Sequence, residues 1–315
     1  MDAARIVRRP ALRHSRRNVM GLTIYNNIPA LSVANNLSRH YSALQTSTQR
    51  LSSGLRINSA ADDAAGLAIR ELMRADIAAM NQGVRNANDA ISLIQTADGA
   101  LGVIDEKLIR MKELAEQAAT GTYDSTQRLM IESEYQAMAS EITRIASQTN
   151  FNRVYLLNGN LSGTTHNGNG LTSTGALKIH FGPSNSSAED YYYISIGNST
   201  ASSLGLGNSG AITRAGYCIS TQSAAQNALD AINNAIISKD KIRASLGAIQ
   251  NRLQNTVSNL TIQAENLQAA ESRVSDVDVA TEMTSFVRNQ ILAQAAVSML
   301  AQANALPRMA LSLIG

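Results

Sequence analysis

The sequence has no Trp, only three Phe, four Pro and a single Cys among 315 residues. Aromatic residues make up 4% while hydrophobic residues reach 44%, so the apolar content rests on Ala, Leu, Ile, Val and Met. Length alone would point to two domains of about 100–200 residues each, but this composition argues against thick cores filled with aromatic rings. With few prolines to interrupt strong helix formers, the expected elements are long helices with few breaks. Cys218 cannot close an internal disulfide, and Cys clusters for zinc or iron–sulfur binding are excluded. Cys218 reads as a small packed residue rather than a nucleophile. Histidine is equally sparse: His14, His40, His166 and His180 show no i,i+4 spacing and no His-Glu-x-x-His, and nothing points to a catalytic triad. No enzyme and no cofactor are therefore expected.

The net charge of +3 conceals an asymmetry. Residues 1–19 hold six Arg and one Asp, a net of +5, which leaves the chain from Met20 onward at −2. The basic character belongs to this leader, so a nucleic-acid partner is not expected of the rest. No apolar stretch of the length a secretory signal needs follows the arginines. The leader is expected not to be part of the mature protein, with Met20 as its start.

What the chain does have is hydrophobic periodicity. Ala34, Leu37, Tyr41, Leu44, Thr48, Leu51 and Leu55 alternate steps of three and four, which predicts a coiled-coil seam on a first helix. Ser52-Ser53-Gly54 breaks it. A second stripe runs from Ile77 through Ile94 to Ala118, with two successive three-residue steps near Gly99 that overwind the supercoil without ending the helix. Gly121-Thr-Tyr-Asp predicts a turn, and Ile131, Tyr135, Met138, Ile142 and Ile145 a third, shorter helix. Between about 150 and 220, Gly, Asn, Ser and Thr cluster around short β-rich runs at Val154–Leu157, Leu177–Phe181 and Tyr191–Ile196. Heptads then resume from Ala225 to Val274. The two long helices, 64–118 and 221–273, would each span ~80 Å at 1.5 Å per residue, and their equal length predicts antiparallel partners. The predicted fold is mainly α: a long antiparallel coiled-coil rod formed by the N- and C-terminal segments, with a small insert rich in β-hairpins.

Two acidic pairs, Asp62-Asp63 and Asp276-x-Asp278, invite comparison with metal or acid–base sites. Both stand just before apolar periodic runs, so helix capping is the expected role, with Ser275-x-x-Asp278 as a capping box. The last helix is different in kind. No charged residue separates Arg288 from Arg308, and Ile291, Leu292, Val297, Met299 and Leu300 point all round the helix. Such a helix must be buried, yet Asn289, Gln290, Gln294, Ser298, Gln302 and Asn304 interrupt it too often for a membrane span. Burial against other copies of the chain is the remaining expectation, with a core built from both termini.

The same residues carry a family resemblance. The run from Gln49 to Ile69 (QRLSSGLRINSAADDAAGLAI), that from Ser272 to Glu282 (SRVSDVDVATE), Gln290-Ile-Leu-Ala-Gln-Ala and Gln302-Ala-Asn-Ala-Leu-Pro307 together resemble bacterial flagellins, the filament subunits of the flagellum. The resemblance covers roughly 20–158 and 215–315. It implies a polymerisation core of terminal helices (20–62 with 275–315), a helical rod with a β-hairpin (63–158 with 216–274) and a variable surface-exposed insert (159–215). Leu37, Tyr41, Leu44, Leu51, Met283, Val287, Ile291, Val297 and Leu300 are the implied polymerisation residues. Arg110, Leu114 and Glu134 match a face that contacts neighbouring subunits and the vertebrate Toll-like receptor that senses flagellin, with Ile109 replacing the usual Gln. The implied partners are other flagellin subunits, an export chaperone on the C-terminal helix, and the filament cap and hook–filament junction proteins. The implied location is extracellular, after export in an unfolded state. Clusters at Ser162–Thr165, Thr172–Thr174, Ser184–Ser187 and Ser199–Ser203 are expected to face outward, as flexible loops or as carriers of O-linked glycans. Two departures stand out: the Arg-rich leader is foreign to the family, and Arg308 and the ending Leu313-Ile-Gly315 replace the family's usual Gln and Leu-Leu. A hook–filament junction protein shares such terminal helices, and a chemoreceptor-like hairpin shares the heptads but not a β-rich tip.

Overall fold

The computed structural model describes residues 26–163, 175–186, 189–207 and 218–314. The Arg-rich leader, Met20, His14, His166, Thr172–Thr174 and Gly315 lie outside the described residues. The chain divides into two compact units, residues 1–67 with 274–315 and residues 68–273.

In the first unit, helix α1 (Ile28–Ser53) packs against helix α5 (Val279–Ile314). Asn27 opens α1: its Oδ1 accepts the amide of Ala30 at 3.1 Å, and Pro29 suits the first turn, where no intrahelical amide bond is lost. Gly54 closes it in the left-handed region at φ 74°, its amide donating to the carbonyl of Arg50. The chain then bridges to the segment entering α5. Leu55 pairs with Asp276, and the amides of Arg56 and Val277 donate to the carbonyls of Ser275 and Gly54 at 2.6 and 3.0 Å.

Of the four acidic residues expected to cap helices, Asp63 and Asp278 do so, whereas Asp62 holds the turn before helix α2 (Ala64–Ala119) and Asp276 accepts from the Ser275 hydroxyl. Asp62 accepts the amides of Asn58 and Ser59, and Asp63 accepts that of Gly66 at the start of α2. Ser275 and Asp278 do not form a capping box. Helix α5 starts at Val279, so Asp278 is itself the cap, accepting the amide of Ala280 at 3.0 Å, and Ser275 donates to Asp276 instead.

The second unit is built on α2 and helix α4 (Gln222–Ser275). They run antiparallel within it: Lys239 Nζ lies 2.5 Å from Asp105, and Arg243 Nε donates to Asp98 at 2.7 Å. Ala87, Ile94, Leu101, Ile104, Leu108 and Met111 of α2 are fully buried, together with Ala225, Ile232, Leu246 and Leu253 of α4. The overwound stretch near Gly99 passes without a break, as α2 is continuous. Helix α3 (Ser125–Gln148) adds Tyr135, Ala139, Ile142 and Ala146 to this core. It begins with a capping box between Asp124 and Gln127, and the Arg128 guanidinium donates to the carbonyls of Ala118 and Thr120, satisfying the open C-terminal end of α2.

Two antiparallel hairpins complete the unit. In the first, β1 (Asn150–Phe151) and β2 (Val154–Tyr155) flank Asn152 and Arg153, whose φ values of 49° and 68° give the turn the positive dihedrals that match strand twist. The second joins β3 (Leu177–His180) to β4 (Tyr191–Ile194), with Leu177 opposite Ile194 and His180 opposite Tyr191. Gly83 lets this hairpin meet α2, because a Cβ there would stand 1.9 Å from the carbonyl oxygen of Phe181. The strands are shorter than the β-rich runs predicted: Leu156, Leu157 and Ile196 lie beyond them, fully buried. Described residues of the predicted insert, 159–215, also take part in the core. Leu161, Ile194, Ala201, Leu204 and Leu206 join the main core, and Ser199, placed outward by its composition, is fully buried.

Candidate assembly surface

The α1–α5 pair is held by polar anchors rather than by a wide apolar seam. Asn27 Nδ2 donates to the carbonyl of Ala303 at 2.8 Å at one end. Towards the other end, Ser47 Oγ donates to Glu282 Oε1 at 2.5 Å, and Arg50 stands 3.6 Å from the second carboxylate oxygen. Beyond it Arg56 Nη2 donates to the carbonyl of Val274 at 2.6 Å. Partners at 27 and 303, 47 and 282, and 55 and 276 keep one antiparallel register throughout. The side chains buried in the two helices are small: Ser47, Ala293 and Ala303.

The large apolar side chains are left outside. Leu37, Leu44 and Leu51 of α1 and Leu300 of α5 are half-buried, while Tyr41, Met283, Val287, Ile291 and Val297 are exposed, Ile291 at 59%. Periodicity had not singled out Ile28 and Leu31, exposed at 62% and 60%, nor Val279, Leu306 and Met309. The signal was the overall apolar character of α5, which no single stripe captures. Two shallow grooves mark this surface. One is lined by Tyr41, Leu44, Gln290, Ala293, Gln294 and Val297, and the other by Ile28, Leu31, Ala34 and Leu300 with Asn26 and Asn27. Among the described residues no helix is long and apolar enough to cross a membrane.

In the second unit, Arg110 bridges α2 to α3. Its Nη2 donates to Glu134 at 2.8 Å and its Nη1 to Glu113 at 2.9 Å, and both hydrogen bonds raise its pKa above the ordinary arginine value. Leu114 does not share this face. It is 1% exposed and packed in the core, because α2 turns it towards the same side as Met111 and Ala115. The accessible apolar neighbour of Arg110 is Ile109, half exposed.

Sequence reasoning also missed Lys239, whose side chain is 2% exposed and held between Asp105 and Asp240 at 2.5 and 2.8 Å. It stands three residues after Ile236, where the apolar stripe of α4 lapses before Ile242, and that lapse was the available signal. A charge in a helical seam costs stability and specifies register. Among the described residues no group of three or more His, Cys, Asp or Glu is placed to hold a metal ion.

Comparison with known proteins covers both units. The profile of the bacterial flagellin N-terminal helical region matches residues 24–162, and that of the bacterial flagellin C-terminal helical region matches residues 229–314. Flagellin FlaB2 of Treponema pallidum is 39% identical over 93% of this chain and all of its own length. The flagellin of Bacillus subtilis is 40% identical over 93% of the chain and likewise all of its own. Among solved structures, a putative flagellar hook-associated protein from Vibrio parahaemolyticus shares the fold at 14% identity, with a TM-score of 0.51 over 68% of this chain and all of that one. With both terminal regions matched and near-complete relatives at this identity, the chain belongs to the bacterial flagellin family.

Proposed function

We propose that the chain is a structural subunit that polymerises into the bacterial flagellar filament, with α1 and α5 as its principal contact surface. One observation carries this: the two terminal helices pair through small and polar residues and leave their large apolar side chains exposed. Packing them against neighbouring subunits removes that surface from water at about 25 cal/mol per Å² of apolar area. Tyr41, Met283, Val287, Ile291 and Val297 supply the outer contacts, and the half-buried Leu37, Leu44, Leu51 and Leu300 add the surface they leave exposed. Helices that cannot bury their apolar faces alone order when a neighbour covers them. Export in an unfolded state and assembly at the filament tip, in the service of motility, are consistent with that property, and the product is extracellular.

Further partners belong to the same reading. The exposed apolar face of α5 suits an export chaperone before assembly, and the α1–α5 pair suits the filament cap and the hook–filament junction proteins. The face around Arg110, Glu113 and Glu134 serves a neighbouring subunit first and a vertebrate flagellin-sensing Toll-like receptor second, with Ile109 rather than Leu114 as its apolar element. The test is electron microscopy of the purified chain after seeding with filament fragments. Filaments of uniform width are expected, and deletion of residues 278–315 abolishes them. A chain that stays monomeric on competent seeds refutes the proposal.

A further inference from the structure

Ten methionines occur in the chain, and their surroundings differ sharply. Met80 and Met111 are buried in the second unit, where Met130 on α3 is 68% exposed, and Met283, Met299 and Met309 of α5 are 44%, 59% and 54% exposed; only the last three lie on the α1–α5 pair. At 100° per residue, Met283 and Met299 lie about 160° apart around the helix. No single covering surface shields both. A thioether needs no deprotonation to react, so access to the sulfur governs its oxidation.

We propose that Met283, Met299 and Met309 form an oxidation site that controls whether the subunit can assemble; this rests on α5 being a polymerisation surface. The co-substrate is a hydroperoxide. Its O–O bond breaks as one oxygen forms an S–O bond to the thioether, which is oxidised by two electrons to the sulfoxide. The peroxide is reduced to water or an alcohol, with no net proton released. The product replaces a flexible apolar side chain with a polar, chiral one. On a surface that neighbouring subunits must cover, each sulfoxide becomes a strong acceptor that is desolvated without a donor. The subunit is exposed to this reaction until it is incorporated. Once neighbours cover α5 the same sulfurs are sheltered, so oxidation removes free subunits and spares the finished filament.

The experiment treats the full-length monomer with hydrogen peroxide, maps sulfoxides by peptide mass spectrometry and measures the critical concentration for elongation of untreated seeds. Met283, Met299 and Met309 should be oxidised while Met80 and Met111 stay reduced, and the critical concentration should rise about tenfold or more. Reduction by a mixture of the two methionine sulfoxide reductases should restore elongation. A variant with Met283→Leu, Met299→Leu and Met309→Leu should give one critical concentration with and without peroxide, whatever its untreated value, since Leu has no thioether to oxidise. Filaments given the same dose should keep the three thioethers reduced. The proposal is overturned if fully oxidised monomer elongates as well as untreated monomer, if the reductases restore nothing, or if the three sulfurs oxidise equally fast in filaments. Should untreated monomer fail to elongate seeds, the filament-subunit proposal fails instead, and the two failures are thereby distinguished.

Discussion

The sharpest test of the assembly surface is Val297→Asp. Val297 lines the groove between α1 and α5 and is 48% exposed in the free chain. A carboxylate there meets water before assembly, so the subunit itself should fold unchanged apart from the small helix-propensity difference between Val and Asp. Incorporation would then bury an uncompensated charge, at a cost of about 3–5 kcal/mol. At about 1.4 kcal/mol per decade, the critical concentration should rise roughly 100- to 3,000-fold. Val297→Ala separates this from lost contact: with about half the side chain left to bury, its cost is about 1 kcal/mol, or roughly fivefold. Sedimentation of seeded reactions over a concentration series gives both values, and circular dichroism melting checks that the second unit is intact. Leu300→Asp should also block growth, but Leu300 is half-buried within the α1–α5 pair and the variant loosens the pair as well. If Val297→Asp stays within threefold of the parent, or Asp and Ala raise the critical concentration equally, buried charge at this surface does not govern assembly.

Other predictions concern the second unit and acid stability. Gly83→Ala should destabilise by about 1–3 kcal/mol in thermal melting, because its Cβ collides with the Phe181 carbonyl and the hairpin must shift; an unchanged melting temperature would show that the hairpin does not rest there. Lys239→Met should be neutral or stabilising, since it removes a buried ammonium and leaves Asp105 partly hydrated, whereas Asp105→Ala should destabilise by about 2 kcal/mol, less than for a fully enclosed pair because Asp240 remains. Equal losses from both variants would contradict this account. Hydrogen bonds hold the carboxyls of Asp62, Glu71, Glu141 and Asp278 below their ordinary pKa values of 3.8 for Asp and 4.5 for Glu, with Ser59, Arg70, Arg144 and Thr281 as the leading donors. Groups depressed on folding stabilise above the unfolded pKa and lose that contribution as pH falls through the folded value, so the melting temperature should decline as pH drops below about 4.5. A melting temperature that rises between pH 5 and pH 3 would show the opposite linkage.

The sequence by itself determined the helices, the bounds of the two long ones to within a residue or two, and the caps at Asp63 and Asp278, because heptad spacing and cap chemistry are local and persist over many turns. It also set the expectation that α5 is covered by a partner, since large apolar residues recur all round it with no charge between Arg288 and Arg308. Only the tertiary structure decided which side chains remain for partners. Leu114 sits on the same helix as Arg110 and reads as its neighbour, yet the turn of α2 carries it into the core. Ser199, Leu204 and Leu206 looked like a polar outer loop because burial in short irregular segments leaves no period to detect, and their burial depends on contacts distant in sequence. Lys239 is the clearest instance. A lysine in a helix is ordinarily solvated, and only the antiparallel register that sets α4 beside Asp105 encloses it. Local periodicity fixes where helices run, whereas the face a residue presents, and the company it keeps, are set by which segments the fold brings together.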